Sequence, residues 1–295
     1  MSEEPDENEQ RTYTRREALA AMVKYSAAAG GAATTIVTAD GLVSAASAYP
    51  AILSNFCRRN PNHWLCTWDR GFVDHLWPTV RRSLDWVLSM RRADGTILWA
   101  RTEDATPWDY ALLTGSSSIA HALRCGAKLA ELCHEPRPDW ADAANLMCRM
   151  VTTRPDAFEP KERWAMDWYY PVLTGCLVGD AAKARLTDGW PVFAMEGKGI
   201  RCVSDEPWVT ASETAEASIA HAVAGDLARA TDLLAWTRPH RCDDGSYLTG
   251  IVYPTLETFP PHETSAYTDA AVILAADAIT GASAASTIFA PHCND

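Results

Sequence analysis

The chain has 295 residues, 47% of them hydrophobic, and a formal charge of −12 from 38 acids against 26 bases. Five acids fall in the first ten residues, which leaves 33 acids and 26 bases with no basic cluster elsewhere. Such a surface displaces no counterions from a phosphate backbone or an anionic bilayer, so nucleic-acid and membrane-surface partners are excluded. No run reaches the ~20 apolar residues of a membrane span.

Residues 1–15 read as a disordered acidic tail. Residues 16–50 read as an N-terminal helical segment or as an export signal. Arg15-Arg16 precede a weakly apolar stretch to Ala39 and a small-residue Ala46-Ser47-Ala48. Lys24 interrupts that stretch and Asp40 ends it, so a cytoplasmic location is expected, with twin-arginine-like export as the alternative. Nine cysteines, an odd number without a Cys-x-x-Cys pair, read as buried thiols of a reducing compartment and not as a disulfide framework.

Residues 51–295 are expected to form one helical domain. From Phe72 to Met90 the apolar Val73, Leu76, Trp77, Val80, Leu84, Val87 and Leu88 follow helical spacing. Further helices are predicted at 114–133, 139–152, 164–178, 180–195, 210–225, 227–238 and 264–280, punctuated by prolines such as Pro136, Pro155, Pro160 and Pro239. Only Tyr247 to Tyr253 leans towards β structure.

An internal repeat organises this domain. Pro107 to Ala122 reads PWDYALLTGSSSIAHA and Pro207 to Ala222 reads PWVTASETAEASIAHA, identical at nine of sixteen positions. The turn Asp94-Gly95 recurs as Asp244-Gly245. Amphipathic helices alternate with helices of small residues, the pattern of outer and inner helices in a ring of hairpins. The inner helices should bring their N-terminal ends, with the loops that hold Trp108 and Trp208, to one mouth.

The stretches Asp94-Gly95-Thr96-Ile97-Leu98-Trp99, LLTGSSSI at 112–119, RWAMDWYYPVLTG at 163–175, RCVSDEPWVT at 201–210 and DDGSYLTGIVYP at 243–254 resemble actinobacterial prenyltransferase-like proteins of the terpene-cyclase and protein-prenyltransferase superfamily. The resemblance covers about residues 55–290. It implies an all-α fold, an α/α toroid with little or no β. Eight helices, or ten if 17–29 and 41–56 are helical, fall short of the twelve of a complete barrel, so an incomplete ring is compatible. It further implies a transferase or cyclase that binds an isoprenoid-type or lipid-linked substrate in an aromatic-lined pocket, with a homo-oligomer left open.

The residues bear unevenly on that chemistry. Terpene cyclisation by a protein acid uses Asp-x-Asp-Asp, which is absent, and Asp243-Asp244 reads as turn chemistry. Protein prenyl transfer uses zinc. Cys202, Asp205 and His221 are the available set, but their spacing is weak, so no metal and no cofactor are expected. Sugar hydrolysis or elimination is the competing enzyme class, since it needs two carboxylates across a groove and aromatic platforms. A non-catalytic binding toroid is the third reading. The candidate catalytic acids are Asp167, Asp205, Asp109 and Glu213, with Glu216 one turn beyond Glu213. Asp167 stands out because Trp164, Met166, Trp168 and Tyr169 flank a charge that is costly to bury without a role. Trp108, Trp164, Trp168, Tyr169, Trp208 and Tyr247 are the candidate substrate-binding aromatics.

Overall fold

The computed structural model describes residues 70–102 and 106–290, all within the unit Pro50–Asp295. The acidic tail, the export-like segment and the helices proposed at 17–29 and 41–56 lie outside the described residues. Among the described residues eight α-helices follow one another: α1 Arg70–Leu88, α2 Leu113–Leu132, α3 Pro138–Thr153, α4 Ala165–Leu173, α5 Gly179–Phe193, α6 Ala211–Val223, α7 Leu227–Trp236 and α8 Ala266–Thr280. Their ends agree with the predicted helices to within a few residues, except that α4 stops five residues early, where Thr174 caps it and Gly175 turns at φ 70°.

The contrast of wet and dry helices is clearest between α1 and α6, whereas α8 leaves Ile273 68% exposed. In α1, Val73, Trp77, Val80 and Leu84 are buried on one stripe while Arg81, Arg82 and Asp85 face solvent. Asp85 accepts from the Arg137 guanidinium at 2.6 Å and from Trp140 Nε1 at 3.2 Å, which ties α1 to the start of α3. Helix α6 has no wet face along its first eleven residues, where only Glu213 is partly exposed. Its Ala, Ser and Thr side chains let α4, α7 and α8 pack closely around it. Helices α2, α4, α6 and α8 are successive neighbours, and α3, α5 and α7 each pack on the helix before them.

The expectation of little or no β structure is corrected. Five short strands, β1 Ala194–Met195, β2 Gly199–Arg201, β3 Trp208–Thr210, β4 Gly250–Val252 and β5 Glu257–Thr258, form one antiparallel sheet in sequence order. Two or three residues are too few to print an alternating pattern, and only β4 falls inside the run read as β-leaning. Strand β3 runs directly into α6, so the register Thr210↔Gly250 and Ile200↔Thr210 sets where that helix begins.

The cysteine reading also needs correction. Cys148 on α3 and Cys176 after α4 form a disulfide with Cα atoms 4.8 Å apart, while Cys125, Cys133, Cys202 and Cys242 are free thiols among the described residues. Odd total and irregular spacing say nothing about two cysteines that the fold alone brings together.

Trp168 is a core residue. Its Nε1 donates to the Arg185 carbonyl at 2.8 Å and its ring stacks on Phe193 at 5.5 Å, lying across the bare Cα of Gly189 in α5. A methyl group at 189 would sit 2.3 Å from the indole. Alanine raises helix propensity by about 1 kcal/mol, but overpacking a rigid ring costs about 1–3 kcal/mol. Gly189→Ala is therefore expected to lower stability by up to about 2 kcal/mol net, read as a lower urea midpoint at unchanged slope.

Candidate functional site

The N-terminal turns of the four inner helices carry a connected set of polar groups. Thr114 is the second residue of α2, Asp167 the third of α4, Glu213 the third of α6 and Tyr267 the second of α8. Thr114 Oγ1 donates to Asp167 Oδ1 at 2.5 Å, so α2 and α4 meet at their first turns. Tyr169 and Tyr170, fifth and sixth in α4, reach Glu216, sixth in α6, and Tyr267, second in α8, reaches the same carboxylate. The inner helices thus run parallel with their N-terminal ends together, as the repeat implied.

Asp167 does not cap its own helix, whose N-cap Trp164 makes no side-chain capping bond. Pro171, four residues on, has no N–H to give the Asp167 carbonyl, and that carbonyl instead accepts from Arg185 Nη2 at 2.7 Å. Burial lifts the Asp167 carboxyl to about 6, against the opposing effects of the Thr114 hydrogen bonds and the Arg185 charge.

Glu213 looks in sequence like the last member of a Thr-x-x-Glu capping box with Thr210. The structure uses it otherwise. The Thr210 hydroxyl donates to the Glu213 carboxylate, joined by Ser212 Oγ at 2.7 Å and the Cys202 thiol at 3.3 Å. Burial and the Glu213 charge push the Cys202 thiol well up, so it serves as a neutral donor. Asp167 and Glu213 hold the same third position on adjacent parallel helices. Packed helices lie about 8–10 Å apart from axis to axis.

Glu216 is 7% exposed and saturated by phenols. Tyr169 donates to Oε2 at 2.5 Å, Tyr170 to Oε1 at 3.1 Å, and Tyr267 also to Oε1. Burial raises the carboxyl to about 7 although all three hydroxyls favour its charged form, and burial beside its charge drives the three phenols well above their usual range. In the repeat the matching residue is Ser116, a buried serine whose hydroxyl has no hydrogen-bond partner. Sequence reasoning counted Glu216 among the available acids and Tyr170 among the pocket aromatics without choosing either as a site residue, and gave Thr114 and Tyr267 no chemical role. The available signal was an acid within the small-residue stretch ASETAEASIAHA, where close packing demands donors from neighbouring elements.

The other candidates are placed elsewhere. Asp109 projects into solvent and pairs with Arg92 at 2.8 Å, and Asp205 pairs with Arg163 at 2.8 Å on an exposed loop. Trp108 is 38% exposed beside Tyr110, whereas Trp208 is 8% exposed, donates to the Phe259 carbonyl at 3.1 Å and lies over Gly250. The two tryptophans are therefore not equivalent, because β4 and β5 cover the second. Trp164 is half-buried with the Arg163 guanidinium 5.6 Å from its ring, and Tyr169 is fully buried. Tyr247 edges the core, its N–H donating to Asp269 at 2.8 Å. Cys202, Asp205 and His221 do not converge: Cys202 meets Glu213, Asp205 meets Arg163, and His221 lies 3.4 Å from Asp226. Among the described residues no cluster of three or more His, Cys, Asp or Glu is arranged to hold a metal ion. Among them, too, no helix is long and apolar enough to cross a membrane.

No protein-family profile matches the chain. The chain is 43% identical over 240 residues to the MMP endo-(1,4)-3-O-methyl-α-D-mannosidase of Mycolicibacterium hassiacum, a match that covers 80% of this chain and 66% of that protein's length. In structure it is similar to an inactive variant of the α-1,6-mannanase GH76A of Salegentibacter sp. bound to α-1,6-mannotriose, with a TM-score of 0.55, 14% identity and coverage of 70% of this chain and 65% of that one. The GH76A mannanase itself gives a TM-score of 0.53 at the same identity and coverage. At that identity the likeness shows a shared, mainly helical fold. These relatives overturn the prenyltransferase-like and terpene-cyclase-like reading, with its transferase chemistry and isoprenoid-type ligand, and favour the sugar-directed alternative. The Asp-Gly turns that carried the resemblance are loop geometry. Thr96 N–H and Oγ1 donate to Asp94 Oδ1 as Ser246 N–H and Oγ donate to Asp244 Oδ1, an arrangement without a reaction of its own.

Glu216 binds its proton more tightly folded than unfolded, where the value is near 4.5. Its contribution to stability is therefore complete below about pH 4.5 and is lost as pH rises through about 7, by up to about 3 kcal/mol at 1.36 kcal/mol per unit. Asp167 acts in the same direction between 3.8 and about 6. The wild type is expected to lose Tm between roughly pH 5 and pH 7.5, the span of these shifts, and Glu216→Gln to flatten that fall, measured by thermal denaturation followed by circular dichroism.

Proposed function

We propose that the chain is a glycoside hydrolase that cleaves internal α-mannosidic bonds. The observation that carries this is the 43% identity over 80% of the chain with an endo-mannosidase. The helical fold shared with α-1,6-mannanases supports it, as do two carboxyl groups at matching places on adjacent inner helices. Oligosaccharides of α-1,4-linked 3-O-methylmannose are the first substrates to test and α-1,6-mannotetraose the second. The inner helices belong to an α/α ring, and its mouth at their N-terminal ends is where the sugar chain would lie.

In this reading Asp167 is the general acid. Its carboxyl, raised to about 6 in a partly dry site, keeps a proton to give the leaving oxygen at mildly acidic pH. Thr114 holds the oxygen Oδ1, and Arg185 fixes the backbone beneath it. Glu213, held by three donors, is the opposing carboxylate, which either attacks the anomeric carbon or activates a water. The anomer of the first product, followed by NMR, distinguishes these.

The test is digestion of both oligosaccharides with chromatography of the products. Internal fragments are expected from one or both, and kcat/KM is expected to fall as pH rises through about 6, where Asp167 loses its proton. Asp167→Asn and Glu213→Gln should each lower kcat about 10²–10⁴-fold. Asp109→Asn and Asp205→Asn, at exposed ion pairs, should stay within about threefold of wild type. Full turnover by Asp167→Asn would sink the assignment.

A further inference from the structure

The cluster on Glu216 has a direction. Tyr169 is fully buried, Tyr170 is intermediate, and Tyr267 presents 42% of its surface to solvent although its hydroxyl end is buried on Glu216. With its hydroxyl on Glu216, what Tyr267 exposes belongs to the rest of the residue, at the first turn of α8, the inner helix that packs beside α6. A planar ring anchored at its far end, with few torsions left to freeze, is suited to stack against the C–H face of a pyranose. Glu216 cannot itself reach a substrate. Both of its oxygens accept phenolic protons, and two of the three donors approach Oε1, with the Tyr170 and Tyr267 hydroxyls 3.5 Å from each other. A carboxylate that is costly to bury is thus spent on orienting tyrosines, one of which faces outward.

We propose that Tyr267 is a sugar-binding platform, taking one mannose ring of the substrate chain, and that Glu216 is a positioning residue that sets the angle of that platform through the phenol cluster. This rests on the reading of the chain as an α-mannoside hydrolase and adds a subsite to it. The contact is made in the bound substrate as well as during bond cleavage, so its loss belongs mainly in KM. Tyr267→Phe keeps the ring and loses the tether. Tyr267→Ala loses both.

The experiment measures kcat and KM on the oligosaccharide that the wild type cleaves, alongside the Tm shift given by α-1,6-mannotetraose. Tyr267→Ala is expected to raise KM roughly tenfold with kcat within about threefold, and Tyr267→Phe and Glu216→Gln to fall between it and the wild type. If Tyr267→Ala does not fold, Tyr267→Leu, which fills the space without a flat face, carries the same expectation. An unchanged KM in an active Ala or Leu variant overturns the platform while the hydrolase reading stands. If the wild type cleaves neither oligosaccharide but mannotetraose raises its Tm and not that of Tyr267→Ala, the platform stands and the hydrolase reading falls. If the wild type shows neither turnover nor a Tm shift, both fall.

Discussion

Helix α6 has almost no surface of its own to give to water, and the surrounding structure follows from that constraint. A helix enclosed by α4, α7 and α8 must be built from small residues, as ASETAEASIAHA is. An acid inside such a helix is buried whichever way it turns, so Glu216 has to find its donors on the neighbours. It takes them from α4 and α8, three phenols on two oxygens, and this fixes the depth of those helices relative to α6. The same alignment carries Asp167 and Glu213 to matching places one helix apart. Packing of small residues and placement of charge are here one arrangement.

The helices were legible because their apolar spacing and proline stops are local. Val73, Trp77, Val80 and Leu84 mark the buried stripe of α1 without reference to anything else. Pro78, Pro171 and Pro191 show the limit of the proline rule, since all three lie inside helices. At Pro171 the lost hydrogen bond is replaced from outside by Arg185, a partner that spacing does not reveal. The sheet was not legible because its strands are shorter than any periodicity, and the disulfide because it joins residues 28 apart through tertiary packing.

Site chemistry was legible in part, for a related reason. Asp167 announced itself by its aromatic neighbours, but Trp168 turned out to pack inward on Phe193 and the Gly189 notch. The repeat pointed correctly to converging helix ends and misled on Trp108 and Trp208, because strands β4 and β5 exist only beside the second copy. Residues repeated for architecture are recognisable as such. Ser116 and Glu216 share a place in the repeat and nothing in chemistry. The family resemblance failed where it leaned on turns, which are reused across unrelated reactions.

The sheet at the mouth carries a last consequence. Its two outermost strands, β1 and β5, are only two residues long, so neither edge offers a row of free N–H and C=O groups on which another chain could pair. Openness of backbone edges is what promotes self-association. Among the described residues these short strands leave no long edge on which such pairing could begin.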